Sequence, residues 1–518
     1  MHFNRYPVPR PMVLMMCLCF LSPLADSPAL TCDIAVVSAQ ASSTGRPFIW
    51  KNFDSSANWQ QQLKYFSAIS DAPGGCLVAH RYENLIELLT GSPVTPSAGV
   101  NEAGFAIAST SVYEEYNIVH TLTDLSSDLV MEALQQCVTV ADFDALLAAW
   151  PQTHYDSAVS ANVAVIDAHG GAAMYELFTG YLTSGYMPIQ YKKYDANTGS
   201  IKEKMVNYND YTEQYTDSTD ADFCGFYVRT NYNDYCPWNV GQDRRTRAEE
   251  LLTAMAAQNR LNYRTVMREA AKDVNGKQVT GDSSDTNYST MYCLSRSCTR
   301  LGVVIDGVAA GGDPRLSVFW CALGEPSIAT FVPYFAAARH VSFLAYADSV
   351  DALGNYLDTS AASFFCIAED ERETYHELIY SSNRGDTTFG MYDNYINKIE
   401  LTKVQQWAFA IEDNILEGTE LFLSVLRDYP GLITQQGLRH FADYCAAYAY
   451  INYTAGSSLN LVWNYDPTAA DLVPAIDPQD PEEEADSEAD SEASDNDLFD
   501  SGSGGGDDGW CFISTATR

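Results

Sequence analysis

The chain has 518 residues, 30 Lys+Arg against 68 Asp+Glu, and a formal net charge of −38. At roughly 100–200 residues per domain this allows two to four domains, or one large enzyme core with appendages. A hydrophobic fraction of 46% excludes disorder throughout, and a sequence pI near 4.3 excludes nucleic acid or an anionic membrane surface as the main partner.

In chain order, Arg5 and Arg10 precede the uncharged apolar run Pro11 to Ala25. That run is shorter than the ~20 residues of a membrane span. With small residues at Ser27 and Ala29, it reads as a signal peptide over 1–29, and hence as an exported protein without a membrane span in the mature chain. Residues 30–31 then form a short propeptide. Export permits disulfides, and Cys224/Cys236 and Cys293/Cys298 are the local pairs that spacing suggests, with free buried thiols as the alternative.

Cys32–Gln40 and Arg46–Phe53 pattern as strands around the Ser-Ser-Thr-Gly turn, and Phe105–Ser111 as another strand after the turn Gly99 to Gly104. Ser126–Gln136 and Val140–Trp150 read as helices, and Asn162–Asp167 and Ala172–Leu177 as a hairpin. Residues 180–240, rich in Tyr, Asn and Asp, read as long loops. Helices follow at Arg244–Ala257 and Tyr263–Asp273, then strands at Leu301–Val308, Leu316–Leu323 and Ile328–Val332. From about 340 to 465 the pattern is mainly helical, clearest over Lys403–Asp428 and Gln435–Tyr448. Two strand clusters with helices between and after them predict an α+β fold, with a core over 32–335 and a helical extension over 336–466. The acidic, Gly/Ser-rich segment 467–518 reads as a disordered tail. Its close, Cys511-Phe-Ile-Ser-Thr-Ala, resembles a segment that ends many exported bacterial proteins, and a surface-sorting role competes there with a plain solvated tail.

Several machineries are missing from the sequence. There is no Gly-x-Ser-x-Gly elbow and no P-loop, since Gly276-Lys277 is followed by Gln. No His-x-x-x-His or Cys-x-x-Cys pair occurs, so no metal and no cofactor is expected. Cys32 stands out because it heads the first strand just past the expected cleavage site. Cleavage between Thr31 and Cys32 would leave a thiol and a free α-amine on one residue. An α-amine with a pKa near 7.7–8.0 can take the thiol proton at neutral pH, and no histidine is then needed.

The motifs resemble those of the N-terminal-nucleophile hydrolases, specifically the family similar to penicillin (isopenicillin N) acyltransferase and, more distantly, the choloylglycine hydrolases. Thr31-Cys32-Asp33-Ile-Ala-Val resembles the self-cleavage junction and first strand. Gly45-Arg-Pro-Phe-Ile-Trp-Lys51-Asn52-Phe53-Asp54 resembles the following hairpin, and Gly99-Val-Asn101-Glu-Ala-Gly104 its Gly-x-Asn-x-x-Gly turn. Ala161 to Glu176, Tyr227-Val-Arg229-Thr230-Asn231 and Arg244-Arg-Thr-Arg247 fall in the same order, so that the likeness spans about 300 residues.

The resemblance implies a four-layer αββα sandwich and a self-processing cysteine amidohydrolase or acyltransferase. Its substrate would be a small-molecule, non-peptide amide, attacked through a thioester on Cys32. It implies Thr31 and Cys32 as the autoproteolysis junction, Cys32 as nucleophile with its amine as base, Asp54 as the carboxylate beside the N-terminus, and Asn231 as the oxyanion-hole amide. Either Arg244 or Arg247 would support the nucleophile, and Lys51, Asn52 and Asn101 would have binding or supporting roles. Lys51 stands where bile-salt hydrolases carry arginine, and their second active-site asparagine would fall near Ser111, so that part of the pattern is not met. A dipeptidase of the same superfamily and an inactive surface-binding protein are the alternatives. The export signal implies a secreted, periplasmic or cell-surface location.

Overall fold

The computed structural model describes residues 32–54, 60–69, 73–82, 95–112, 123–124, 126–154, 157–179, 188–207, 209–235, 241–275, 287–289, 292–296, 298–342, 380–381, 395–455, 463 and 465. The chain divides into two units, Met1–Asp471 and Leu472–Arg518, and every described residue belongs to the first. The expected signal peptide, Thr31, Cys236 and the tail 467–518 lie outside the described residues.

Fifteen strands build two large sheets. They are β1 (Cys32–Val37), β2 (Phe48–Asp54), β3 (Gln60–Phe66), β4 (Cys76–Tyr82), β5 (Thr95–Asn101), β6 (Ala106–Ser111), β7 (Ser160–Ile166), β8 (Ala172–Thr179), β9 (Ile189–Asp195), β10 (Ser200–Asn207), β11 (Thr212–Thr219), β12 (Phe226–Arg229), β13 (Thr299–Asp306), β14 (Val318–Leu323) and β15 (Val332–Tyr334). The longer helices are α1 (Ser126–Gln136), α2 (Val140–Thr153), α3 (Gln242–Ala257), α4 (Lys398–Asp428) and α5 (Gln435–Ala455), and Tyr263–Thr265 adds a sixth, short one among the described residues. One sheet has the order β12-β1-β2-β13-β14-β15, and the other runs β11-β10-β9-β8-β7-β6-β5-β4-β3, with every pairing antiparallel. This is a mixed α/β architecture of the expected α+β class.

Side-chain alternation divides the core. On β7, Ala164 and Ile166 join β1, β2 and β13 residues such as Ile34, Trp50 and Val304 in one apolar cluster. Val163 and Val165, facing the other way, pack with Leu129 and Leu134 of α1 and Phe143 and Leu147 of α2. Both β1 and β2 are buried along their whole length, so the charged and polar residues they carry, Asp33, Lys51, Asn52 and Asp54, are buried with them. The tight link between them turns on Ser42 to Gly45, where Gly45 at φ +68° takes a conformation that a side chain would strain. The start of α2 is held by a reciprocal cap between Thr139 and Asp142, so its boundary follows from sequence as well as from packing.

Four expectations are corrected. Residues 180–240 are not only loops, because β9, β10 and β11 extend the larger sheet as a ribbon and β12 joins the smaller one. Its two outer strands, β10 and β11, are largely polar, β11 being exposed throughout, so no clear apolar period marks them. Cross-strand charge and ring pairs hold them instead, including Lys204–Glu213 at 2.7 Å and Lys202 over Tyr215 at 5.5 Å. The helix expected over Tyr263–Asp273 is one turn followed by a π-helical turn, Val266–Ala270. The strand expected at Ile328–Val332 starts at Val332. Strands β3, β4 and β5 were not foreseen. Cys224 and Cys298 are free thiols, so neither suggested local bridge forms.

The C-terminal helices are part of the core. Glu412 of α4 is fully buried and meets Lys272 at 2.9 Å, while its carboxylate also accepts from the Phe331 N–H at 3.0 Å. Burial lowers the Lys272 pKa, and Glu412 opposes that shift. Two turns further along α4, Glu420 meets Arg46, which also binds the buried Asp306. No helix among the described residues is long and apolar enough to cross a membrane. Glu412→Gln should leave Lys272 as an uncompensated buried cation and cost about 3–5 kcal/mol. Adding Lys272→Met should return much of that loss, as read from urea denaturation of the two variants and the wild type.

Candidate active site

The site is assembled at the head of β1. In the antiparallel pair of β1 and β2, Cys32 lies opposite Phe53, Asp33 opposite Asn52, and Ile34 opposite Lys51. Directly opposed residues share a face. Cys32, Phe53 and Lys51 therefore face the larger sheet, while Asp33, Asn52 and Asp54 face the helices. The Lys51 amine donates to the Ser109 carbonyl of β6 and lies 5.2 Å from the Phe53 ring centroid. Burial raises the pKa of the Cys32 thiol, Lys51 pulls it down, and the Asp54 carboxylate pushes it up. The Asp54 backbone N–H also favours the thiolate.

On the helical face two acids alternate with two arginines. Arg244 of α3 donates to Asp33 at 2.5 Å and lies 3.8 Å from Asp54. Arg296, from the loop before β13, donates to Asp54, whose other oxygen accepts from Thr299 Oγ1 at 2.5 Å. All four charged side chains are buried, and the four formal charges cancel. Such a cluster is sustained in low dielectric only because each ion has a partner. Burial raises the Asp33 pKa to about 6 against the opposing pull of Arg244.

The Cys32 nitrogen donates to Asn231 Oδ1 at 2.7 Å. The same oxygen accepts from Arg244 at 3.1 Å, and Asn231 Nδ2 donates to Thr110 Oγ1 at 3.0 Å and the Ser111 carbonyl at 2.8 Å. Four unlike partners fix the amide orientation chemically. The oxygen of Asn231 thus faces the Cys32 nitrogen, and its NH₂ group is engaged by β6.

Cys32, Asp54, Asn231 and Arg244 thus come together, with Lys51 on the sulfur side. Geometry separates the two candidate arginines, since Arg247 pairs with Asp273 at 2.8 Å instead. Asn52 points to the helical side and donates to the carbonyls of Ala271 at 2.9 Å and Leu294 at 2.7 Å, bracing the loop that carries Arg296. Asn101 secures its own turn, accepting from the Phe105 N–H and donating to the Leu134 and Cys137 carbonyls. Sequence reasoning missed Asp33, Thr110, Arg296 and Thr299. Asp33 carried a signal, as a charge inside an otherwise apolar strand. Arg296 sat between two cysteines that drew attention to a bridge.

Among the described residues no group of His, Cys, Asp and Glu could hold a metal ion. No family model and no curated protein matches this chain.

The Asp33 shift has a defined sign. With a folded pKa above its ordinary 3.8, Asp33 holds its proton in the folded chain while the unfolded chain has lost it. Its contribution to stability therefore falls as pH rises from about 4 to about 6. Asp33→Asn lacks this component, so urea titrations at the two ends of that window should show a smaller pH-dependent loss than in the wild type.

Proposed function

We propose that this chain is an exported, self-processing cysteine amidohydrolase or acyltransferase of the N-terminal-nucleophile type, acting on a non-peptide amide through Cys32. One observation carries the reading: the nitrogen of Cys32 is held by a buried carboxamide, at 2.7 Å, while its sulfur lies under the influence of Lys51 and the Asp54 N–H. Held there, the nitrogen would stay beside its acceptor, and beside Arg244 on the same oxygen, once it became an amine. Two antiparallel sheets with helices packed on them are consistent with the four-layer αββα sandwich that goes with this reading.

Cleavage of the Thr31–Cys32 bond would turn the held N–H into an α-amine. The amine takes the thiol proton, and the thiolate attacks the amide carbon. The ammonium then protonates the leaving amine as the thioester forms. Asn231 Oδ1 favours the ammonium form by accepting from it, and Lys51 favours the thiolate across the same residue. The Asp33–Arg244–Asp54–Arg296 cluster holds both strand ends without adding net charge. Water or a second amine resolves the thioester, giving hydrolysis or acyl transfer.

Intact mass and N-terminal sequencing of secreted protein test this directly. The wild type should begin at Cys32 and Cys32→Ala should begin upstream. A wild-type chain that stays uncut upstream of Cys32 removes the α-amine mechanism and leaves a binding protein as the better reading.

A further inference from the structure

Five neighbouring strands of the larger sheet place one polar residue each on a single cross-strand line. Thr110 of β6 is opposite Asn162 of β7, Asn162 opposite Glu176 of β8, Glu176 opposite Lys192 of β9, and Lys192 opposite Glu203 of β10. The adjacent line on the same face is Ala108, Ala164, Met174 and Tyr194, which belongs to the core apart from the tyrosine hydroxyl. The buried members Thr110, Asn162 and Glu176 need partners, and besides Tyr194 Oη on Glu176 at 3.1 Å and the Ser111 carbonyl on Thr110 they come from a single segment.

Residues 229–235 lie along the row. Thr110 Oγ1 accepts from Asn231, and Asn162 Nδ2 donates to the Thr230 carbonyl at 2.8 Å and the Tyr232 carbonyl at 3.1 Å, on either side of Asn231. Glu176 accepts from Arg229 Nε at 2.6 Å and from the Asp234 N–H at 2.9 Å. Lys192 meets the Asp234 carboxylate at 2.5 Å, and Tyr235 donates to Glu203 at 3.3 Å. Asn162 is fully buried, and its Oδ1 accepts no hydrogen bond among the described residues. An unsatisfied buried acceptor is a cost to stability, so the return on Asn162 lies in what its NH₂ group holds.

We propose that this row, acting chiefly through Asn162, is a set of positioning residues that fixes the Asn231 carboxamide against the Cys32 nitrogen. The proposal rests on the reading of Cys32 as an N-terminal nucleophile and names what sets the geometry of that site. With the Thr230 and Tyr232 carbonyls clamped, the peptide bearing Asn231 cannot rotate. Its oxygen then favours the thiolate–ammonium form of Cys32 over the neutral pair.

The test uses the full-length secreted chain and needs no substrate. Cys32 alkylation by iodoacetamide is followed by peptide mapping across pH in the wild type, Asn162→Ala, Asn231→Ala and the double variant. Near neutral pH each single variant should react about tenfold more slowly, the scale of one or two lost buried hydrogen bonds. Rates should converge at high pH, where the thiolate forms in any case. The double variant should react no more slowly than Asn231→Ala, because the two residues act as one unit. Thr110→Val, isosteric and lacking only the hydroxyl, should show the same non-additivity if Asn162→Ala does not fold. Additive losses, a loss that persists at high pH, or an unchanged rate in Asn231→Ala would overturn the proposal. Wild-type intact mass reads the underlying assignment separately: a chain beginning at Cys32 whose variants behave additively keeps the nucleophile and loses the positioning row.

Discussion

The register of β1 between its two neighbours is the constraint on which everything else depends. Pairing with β2 sets Cys32 opposite Phe53, and pairing with β12 sets Ile34 opposite Arg229. A shift of one residue would exchange the two faces. Cys32 would then enter the charged cluster, and Asp33 would face Lys51 and the larger sheet. Because β1 is hydrogen-bonded on both sides and buried on both faces, no such slip is open to it. The nucleophilic atom and its nitrogen are thereby placed by main-chain pairing, and the surrounding side chains refine that placement.

The same alternation separates two kinds of electrostatics. On the sulfur side the cation that acts on the thiol is Lys51, while the helical side holds a balanced set of two acids and two arginines. Balance matters there, because an unpaired charge so close would bias the thiol strongly in low dielectric. The helices reach this region through α3, which carries Arg244, and through the 266–275 segment. Asn52 holds the Ala271 carbonyl of that segment, and α4 meets it through Glu412. The C-terminal helices are thus connected to the loop of Arg296 by consecutive buried polar contacts.

Where a side-chain period or a cap was present, sequence reading located the elements closely. Ser126–Gln136 is a helix with the expected ends, and the hairpin around His169 to Gly171 is where turn chemistry put it. The polar strands β10 and β11 escaped because their stability comes from pairs across strands, which are not visible along one strand. Cys32, Asp54, Asn231 and Arg244 were legible as candidates because their motifs lie close to recognisable turns and strand ends. Arg296 and Asn162 were not, since each earns its place through partners 242 and about 70 residues away in sequence. The orientation of the Asn231 amide was likewise hidden, being set by Thr110 and Ser111 on a different sheet.

The outermost strand of the larger sheet carries a consequence for how copies of the protein meet. β11 is exposed along its length, which leaves one side of its backbone as a template for another strand. Glu213 and Asp217 sit on that strand, in a chain already far from neutrality. A second copy approaching edge to edge would bring like charges together before any main-chain hydrogen bond could form. The polar ribbon that hid itself from pattern reading therefore also serves as a guard, letting a nine-stranded sheet end in water without inviting a tenth strand.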